Sequence, residues 1–315
     1  MRILMLGAGG VGGYFGGRMV QAGSDVTFLV REARAVQLQS GLQIESPRGN
    51  ANISVKCITT NNNEKSFDVI ILSCKAYGLA GALDAIVPFV AEGVPVLPLL
   101  NGFGHVELIE QRFPPAVVWG GIAGIFAMLT QDGVVRQTHP NQVIALGVRQ
   151  GQSDSQGLLN ALTVEMRRAE IDAVASPDIE LAMWEKWTFL ATLAASTCLM
   201  RGSIGEILAT DYGEQLIAQL FDECQQTAAA EGWPAGPNPA QDYRALLFDP
   251  NGTYTASMLR DMDSGGPTEA DHILGNMISR AHRNGIEAPM LEIAYTRLQV
   301  YERQRTSPKP STGSR

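Results

Sequence analysis

The chain has 315 residues, 45% hydrophobic and 18% charged, which is long and apolar enough for two globular domains, each with its own core. Its 24 Lys and Arg stand against 32 Asp and Glu. The net charge of −8 carries no electrostatic footprint for nucleic acid or an anionic membrane surface.

The four cysteines, Cys57, Cys74, Cys198 and Cys224, form no C-x-x-C pair and read as reduced, buried thiols of a cytoplasmic protein. The four histidines lack metal-ligand spacing, which argues against a structural zinc. The longest apolar stretch, 116–129, is interrupted by glycines and is too short to span a bilayer.

The apolar run 1–6 predicts a buried strand. It feeds directly into Gly7-Ala8-Gly9-Gly10-Val11-Gly12, a G-x-G-x-x-G sequence, followed by a helix that ends at Gly23 and a second strand over 26–30. In such a βαβ unit Gly7 permits the tight turn. Gly9 lets a pyrophosphate approach the backbone, and Gly12 lets the helix pack closely on the sheet. The helix start adds free N–H groups and a positive dipole end. A dinucleotide site follows.

Sites for NAD usually carry Asp or Glu at the end of the second strand. Here the strand ends in Val30-Arg31, and a guanidinium can grip a 2′-phosphate in a bidentate fork, so the predicted cofactor is NADP. Arg34 could help, while Glu32 lies beside Arg31.

Beyond a polar helix to about residue 40, segments 42–45 and 52–55 alternate apolar and polar residues around Pro47-Arg48-Gly49-Asn50 and predict half-exposed strands. The nearly all-apolar run 67–74 predicts a central parallel strand, followed by a helix over 78–91 and a strand over 95–100. Segments 117–122, 133–138 and 142–146 predict three further strands in an antiparallel or mixed extension. A helix over 156–169 and a short strand over 171–174 close this half.

Ser176-Pro177-Asp178 reads as a helix start, and the pattern from there to about 301 is helical. The predicted fold is therefore α/β. A Rossmann-type doubly wound sheet (1–175) precedes an all-helical domain (176–303), and a Ser/Pro/Lys/Gly-rich tail (304–315) is expected to be disordered.

Lys186 stands alone on a helix face with Ile179, Ala182, Met183, Leu190, Leu193, Ala194 and Thr197. An ammonium in apolar surroundings needs a carboxylate partner, a lowered pKa or a route to water. It is either a general acid working near neutrality or a snorkelling, salt-bridged lysine. Lys75 and Asn101-Gly102 follow successive parallel strands, at the edge where ligands bind in open α/β sheets. Glu269, near the start of a later helix, has the plain reading of complementing the helix dipole.

In order and spacing, Gly7-Ala8-Gly9-Gly10-Val11-Gly12, Arg31, Cys74-Lys75-Ala76-Tyr77, Asn101-Gly102-Phe103-Gly104, Trp184-Glu185-Lys186-Trp187, Ser257-Met258-Leu259-Arg260-Asp261 and Thr268-Glu269-Ala270-Asp271 resemble the ketopantoate reductase (2-dehydropantoate 2-reductase) family over about residues 1–303. The resemblance implies NADPH-dependent reduction of a 2-oxo acid, in the family a step of pantothenate biosynthesis. It implies that Lys186 is the proton donor and that Glu269 holds Lys186 and contacts the substrate. Ser257 would bind the substrate carboxylate, and Arg31 the NADP phosphate. Lys75, Asn101 and Glu269 would lie at the nicotinamide and substrate end.

The chain departs from the family where asparagines are usual. Leu190, Ala194 and Ile204 stand in their places, two of them on the lysine face. An apolar site does not reward a substrate hydroxyl. The alternatives are a family dehydrogenase for a more apolar 2-oxo acid and a non-catalytic NADP-binding sensor; retention of both Lys186 and Glu269 speaks against the sensor. The expected partner is a small 2-oxo acid, with no nucleic acid and no membrane. The helical half could also bury a homodimer face, although no heptad or apolar patch marks one.

Overall fold

The computed structural model describes residues 1–60, 66–114, 116–153, 155–236 and 243–307. The chain divides into two compact units, Met1–Met183 and Trp184–Arg315. The division falls inside one helix. No helix among the described residues is long and apolar enough to cross a membrane.

The first unit runs β1 (Arg2–Leu6), α1 (Gly10–Gln21), β2 (Asp25–Leu29), α2 (Glu32–Leu38), β3 (Leu42–Glu45), β4 (Ala51–Ile53), β5 (Lys56–Ile58), β6 (Val69–Leu72), α3 (Leu79–Ile86), β7 (Pro95–Pro98), α4 (Gly104–Arg112), β8 (Val117–Leu129), β9 (Val135–Val148), α5 (Gln156–Arg168), β10 (Asp172–Ala175) and the start of α6 (Ile179–Met200). The sheet order is β4-β3-β9-β8-β7-β6-β1-β2-β5, with β10 paired to β9. From β8 through β5 every neighbouring pair is parallel.

All four residues of β6 are buried, as a strand covered on both faces requires. Chain order reverses direction across the sheet between β1 and β6. Such a switch point opens a crevice at the carboxyl ends of the strands. Beneath α1, Phe15, Met19, Phe28, Ile44 and Trp119 belong to one apolar core.

Three predicted strands over 117–146 are two long ones. Ile125 pairs with Gln142 and Ala127 with Gln137, so residues 138–141 stand opposite Phe126 alone. The break expected between the strands 133–138 and 142–146 is thus a bulge within β9, where Pro140, without an N–H, is tolerated. Gln137 Nε2 donates to Asn141 O at 2.9 Å and closes it.

The three-residue β5 gave no strand signal and extends the edge beside β2. Helix α6 starts later than Ser176-Pro177 suggests. The Ser176 N–H still donates to Leu146 O at 2.8 Å, continuing the β10 ladder, and Asp178 O accepts the first helical bond from Ala182 at 3.1 Å. Gly120 and Gly147 are cross-strand neighbours. A Cβ on either would lie within 2.7 Å of the Ile179 side chain, so the glycine pair forms the notch that seats the start of α6.

The second unit is helical, as predicted: the remainder of α6, then α7 (Ile204–Leu208), α8 (Gly213–Ala230), α9 (Tyr243–Leu247), α10 (Ser257–Asp263), a π-helical turn (Asp271–Gly275), α11 (Asn276–Arg283) and α12 (Pro289–Thr306). Ser203 and Glu206 form a capping box on α7. Glu223 of α8 accepts the N–H groups of Met290 and Leu291 at 3.0 and 2.9 Å, which satisfies the first turn of α12. Residues 304–306 are the last turn of α12, and the rest of the expected tail, 308–315, lies outside the described residues.

One close approach sets the position of α1. A Cβ on Gly12 would sit 2.0 Å from Ser73 Oγ and 2.4 Å from Gly7 O, and the backbone oxygen cannot move aside cheaply. Gly12→Ala should therefore lower the unfolding free energy by about 1–3 kcal/mol, read from denaturant midpoints. Gly81, on the exposed face of α3 with nothing near its Cβ position, is the control: Gly81→Ala should stabilise by up to about 1 kcal/mol.

Candidate active site

Four predicted site elements share one edge of the first unit. The glycine loop follows β1, Arg31 follows β2, Lys75 follows β6 and Asn101 follows β7, and these are adjacent parallel strands in the order β7-β6-β1-β2. Gly7 turns out of β1 at φ +95°, a left-handed conformation that favours glycine. Its N–H donates to Leu29 O at 3.0 Å, and Ser73 Oγ donates to Leu6 O at 2.8 Å, so the turn is fixed from both neighbouring strands.

Gly9 caps α1, and no atom lies within 4 Å of a Cβ built on it. The first amides of α1, those of Gly10, Val11 and Gly12, fall outside the helix's own ladder, and its first turn holds no acidic residue. An open space before a helix N-terminus suits a pyrophosphate, so these residues fit a dinucleotide.

The exposed Arg31 is the N-cap residue of α2. Arg34 faces the loop instead: its Nε and Nη2 donate to Ala8 O at 3.2 and 3.0 Å. Burial holds its pKa below the usual arginine value. The exposed Lys75 precedes a 3₁₀ turn over Ala76–Gly78, and Asn101 is half-buried before Gly102, whose φ is +81°.

The second unit brings Lys186 and Glu269 together. Helix α6 is buried on most faces, with 191–198 wholly covered. A partly open strip consists of Leu181, Ala182, Glu185, Lys186, Phe189 and Leu190. Lys186 thus has a route to solvent that the predicted apolar stripe did not guarantee. Burial lowers the pKa of its ammonium to about 8, while the charge of Glu269 pulls it back upward.

Glu269 is itself buried, at 7% exposure, and its backbone is held on both sides. The N–H and Oγ1 of the preceding Thr268 donate to Glu302 of α12 at 2.6 and 2.7 Å. Glu269 O accepts from Ile273 N–H at 2.9 Å, and Ile273 O accepts from Trp187 Nε1 at 3.1 Å. Glu269 therefore ends the approach to the π-helical turn rather than sitting inside a first helical turn.

Leu190 is half-buried one turn beyond Lys186, and Ala194 and Ile204 are buried. Ser257, the exposed first residue of α10, follows Ala256, whose N–H donates to Thr197 Oγ1 of α6 at 3.3 Å.

Sequence reasoning missed Ser73, the Arg34 contact and the Phe189–Tyr243 stack, whose centroids are 4.8 Å apart beside the Lys186 strip. Arg34 was legible only as a second cation beside Arg31, and Phe189 by its spacing three residues after Lys186.

The family described as Ketopantoate reductase PanE/ApbA matches residues 3–151, and its C-terminal counterpart matches residues 178–302. An "Uncharacterized oxidoreductase YkpB" of Bacillus subtilis (strain 168) is 35% identical over 97% of this chain and 100% of its own length. The crystal structure of 2-dehydropantoate 2-reductase from Geobacter metallireducens GS-15 is 26% identical, with a TM-score of 0.83 over 95% of this chain and 99% of that one. A ternary structure of D-mandelate dehydrogenase with NADH and anilino(oxo)acetate shares the fold at 23% identity, with a TM-score of 0.84 over 98% of this chain and 100% of that one. The two matches together span most of the chain, which therefore belongs to the ketopantoate reductase family and is an oxidoreductase of that family.

Proposed function

We propose that the protein reduces a 2-oxo acid with an apolar side chain to the 2-hydroxy acid, using NADPH. The observation that carries this reading is a lysine on a partly open strip of α6 whose pKa burial lowers to about 8, against the upward pull of the Glu269 charge. Residues 1–175 hold the cofactor through the amides at Gly9 to Gly12 and through Arg31, with Lys75 and Asn101 toward its reactive end. When bound, NADPH supplies the hydride that adds to C2 of the substrate.

Residues 176–303 act on the substrate. Lys186 Nζ hydrogen-bonds to the substrate carbonyl oxygen, stabilises the charge that grows there and gives up its proton to form the hydroxyl. Glu269 orients that ammonium and keeps its pKa from falling further. Ser257 donates to the substrate carboxylate.

Leu190, Ala194 and Ile204 supply hydrocarbon where a hydroxylated acyl chain would need amides, so ketopantoate is disfavoured relative to branched or aromatic acids. The fold shared with D-mandelate dehydrogenase is compatible with this choice.

Lys186→Ala should lower the rate of reduction by about 10²–10⁴-fold, followed as NADPH consumption, with nucleotide affinity retained. The donor must be protonated, which holds below about pH 8. Reduction should therefore be level below that pH and fall above it, and the reverse oxidation should rise across the same range. A reduction rate that climbs through pH 8 would remove Lys186 from this role.

Across a panel of 2-oxo acids, kcat/KM should favour branched or aromatic side chains over ketopantoate. Leu190→Asn should shift that preference toward ketopantoate by roughly tenfold or more. A parent enzyme that turns over ketopantoate fastest refutes the apolar assignment. Arg31→Ala should weaken NADPH by roughly 10–100-fold and leave NADH nearly unchanged, measured by direct titration.

A further inference from the structure

We propose that Arg34 is a positioning residue for cofactor binding: it aims the Gly9 N–H at the pyrophosphate by holding the Ala8 carbonyl, and it does not read the 2′-phosphate. The inference rests on the dinucleotide reading above. Two arginines lie within one helical turn, and charge alone would assign both to the same phosphate. Their contacts separate them.

Arg31 is exposed at the start of α2. Arg34 is half-buried, and its Nε and Nη2 form a two-pronged contact with Ala8 O at 3.2 and 3.0 Å. Its Nη1 donates to Gly133 O at 2.9 Å and to Gln37 Oε1 at 3.0 Å. These contacts engage four of the five guanidinium N–H groups, so the fork is committed before any anion arrives.

The geometry of the loop turns this contact into a directing force. The chain contains no cis peptide among its described residues, and in a planar trans peptide the C=O and the following N–H point in opposite directions. With the Ala8 carbonyl held by Arg34, the Gly9 N–H points away from the guanidinium. The next peptide is fixed as well, because Gly9 O accepts the Gly13 N–H at 2.8 Å and is committed to α1. The space beside Gly9 is open.

A cation hydrogen-bonded to the carbonyl also polarises the amide, making its N–H a stronger donor to an anion. The second prong anchors the fork to a rigid turn between β8 and β9. There Thr130 N–H donates to Val134 O, and Val134 N–H donates to Thr130 Oγ1, both at 2.9 Å.

The test compares ligands that carry the pyrophosphate with one that carries only the 2′-phosphate. The full chain, with Arg34→Lys and Arg34→Gln, is titrated with NADPH, NADH and 2′-AMP. Lysine keeps the charge and loses the fork, and it protects the test if glutamine disturbs folding. Both variants should bind NADPH and NADH more weakly by a common factor on the order of tenfold, with 2′-AMP changed by no more than about twofold.

Loss of 2′-AMP binding in step with NADPH, while NADH is spared, would make Arg34 a phosphate ligand and overturn the proposal. Unchanged affinity for both dinucleotides would overturn it as well. A parent protein that bound none of the three would instead overturn the dinucleotide reading.

Discussion

The cost of holding an ammonium away from water governs the second unit. An isolated lysine among apolar side chains loses its proton or draws in a countercharge. Here both tendencies act on Lys186, whose pKa falls to about 8 and stops there because Glu269 is present. Hydrogen bonds on both sides hold the backbone that carries that carboxylate. Glu302 holds the preceding residue, Trp187 and Ile273 tie the following turn to α6, and Glu223 satisfies the start of the helix that carries Glu302.

Close backbone contact plays the corresponding part in the first unit. Helix α1 can approach β1 and β6 because Gly12 has no side chain, and Ser73 fills the remaining gap with a hydroxyl bonded to Leu6 O. The same helix start is pressed from the other side by β8, since a Cβ on Gly10 would meet Ala127 O at 2.5 Å. The open space beside Gly9 is what remains between these contacts. Its rigidity comes from main-chain packing and from the Arg34 fork, so affinity does not depend on ordering a loop at the moment of binding.

Much of this was legible in the chain. The βαβ opening, the buried strand at 69–72, the switch to helices and the lone Lys186 are local patterns. A strand covered on both faces must be continuously apolar, and a glycine loop between strand and helix has few other uses. The three strands expected over 117–146 show where local reading fails. The break between 138 and 142 reads as a turn between strands, but a bulge satisfies the same backbone preferences, and only pairing with Ile125 and Ala127 distinguishes the two. The helix start at Ser176 was displaced for a similar reason, because the Ser176 amide was already committed to a strand neighbour.

The sequence by itself determined the fold class and the family, and it singled out Lys186 as a candidate, because each rests on residue type and spacing along one element. Only the tertiary structure decided that Lys186 lies on a partly open strip, that Glu269 reaches it from more than eighty residues away, and that Arg34 faces the glycine loop while Arg31 stays exposed. Those outcomes depend on burial and on which groups meet across the fold. A chain's local pattern records propensity and periodicity, whereas a desolvated charge and a directed hydrogen bond exist only once distant segments have packed.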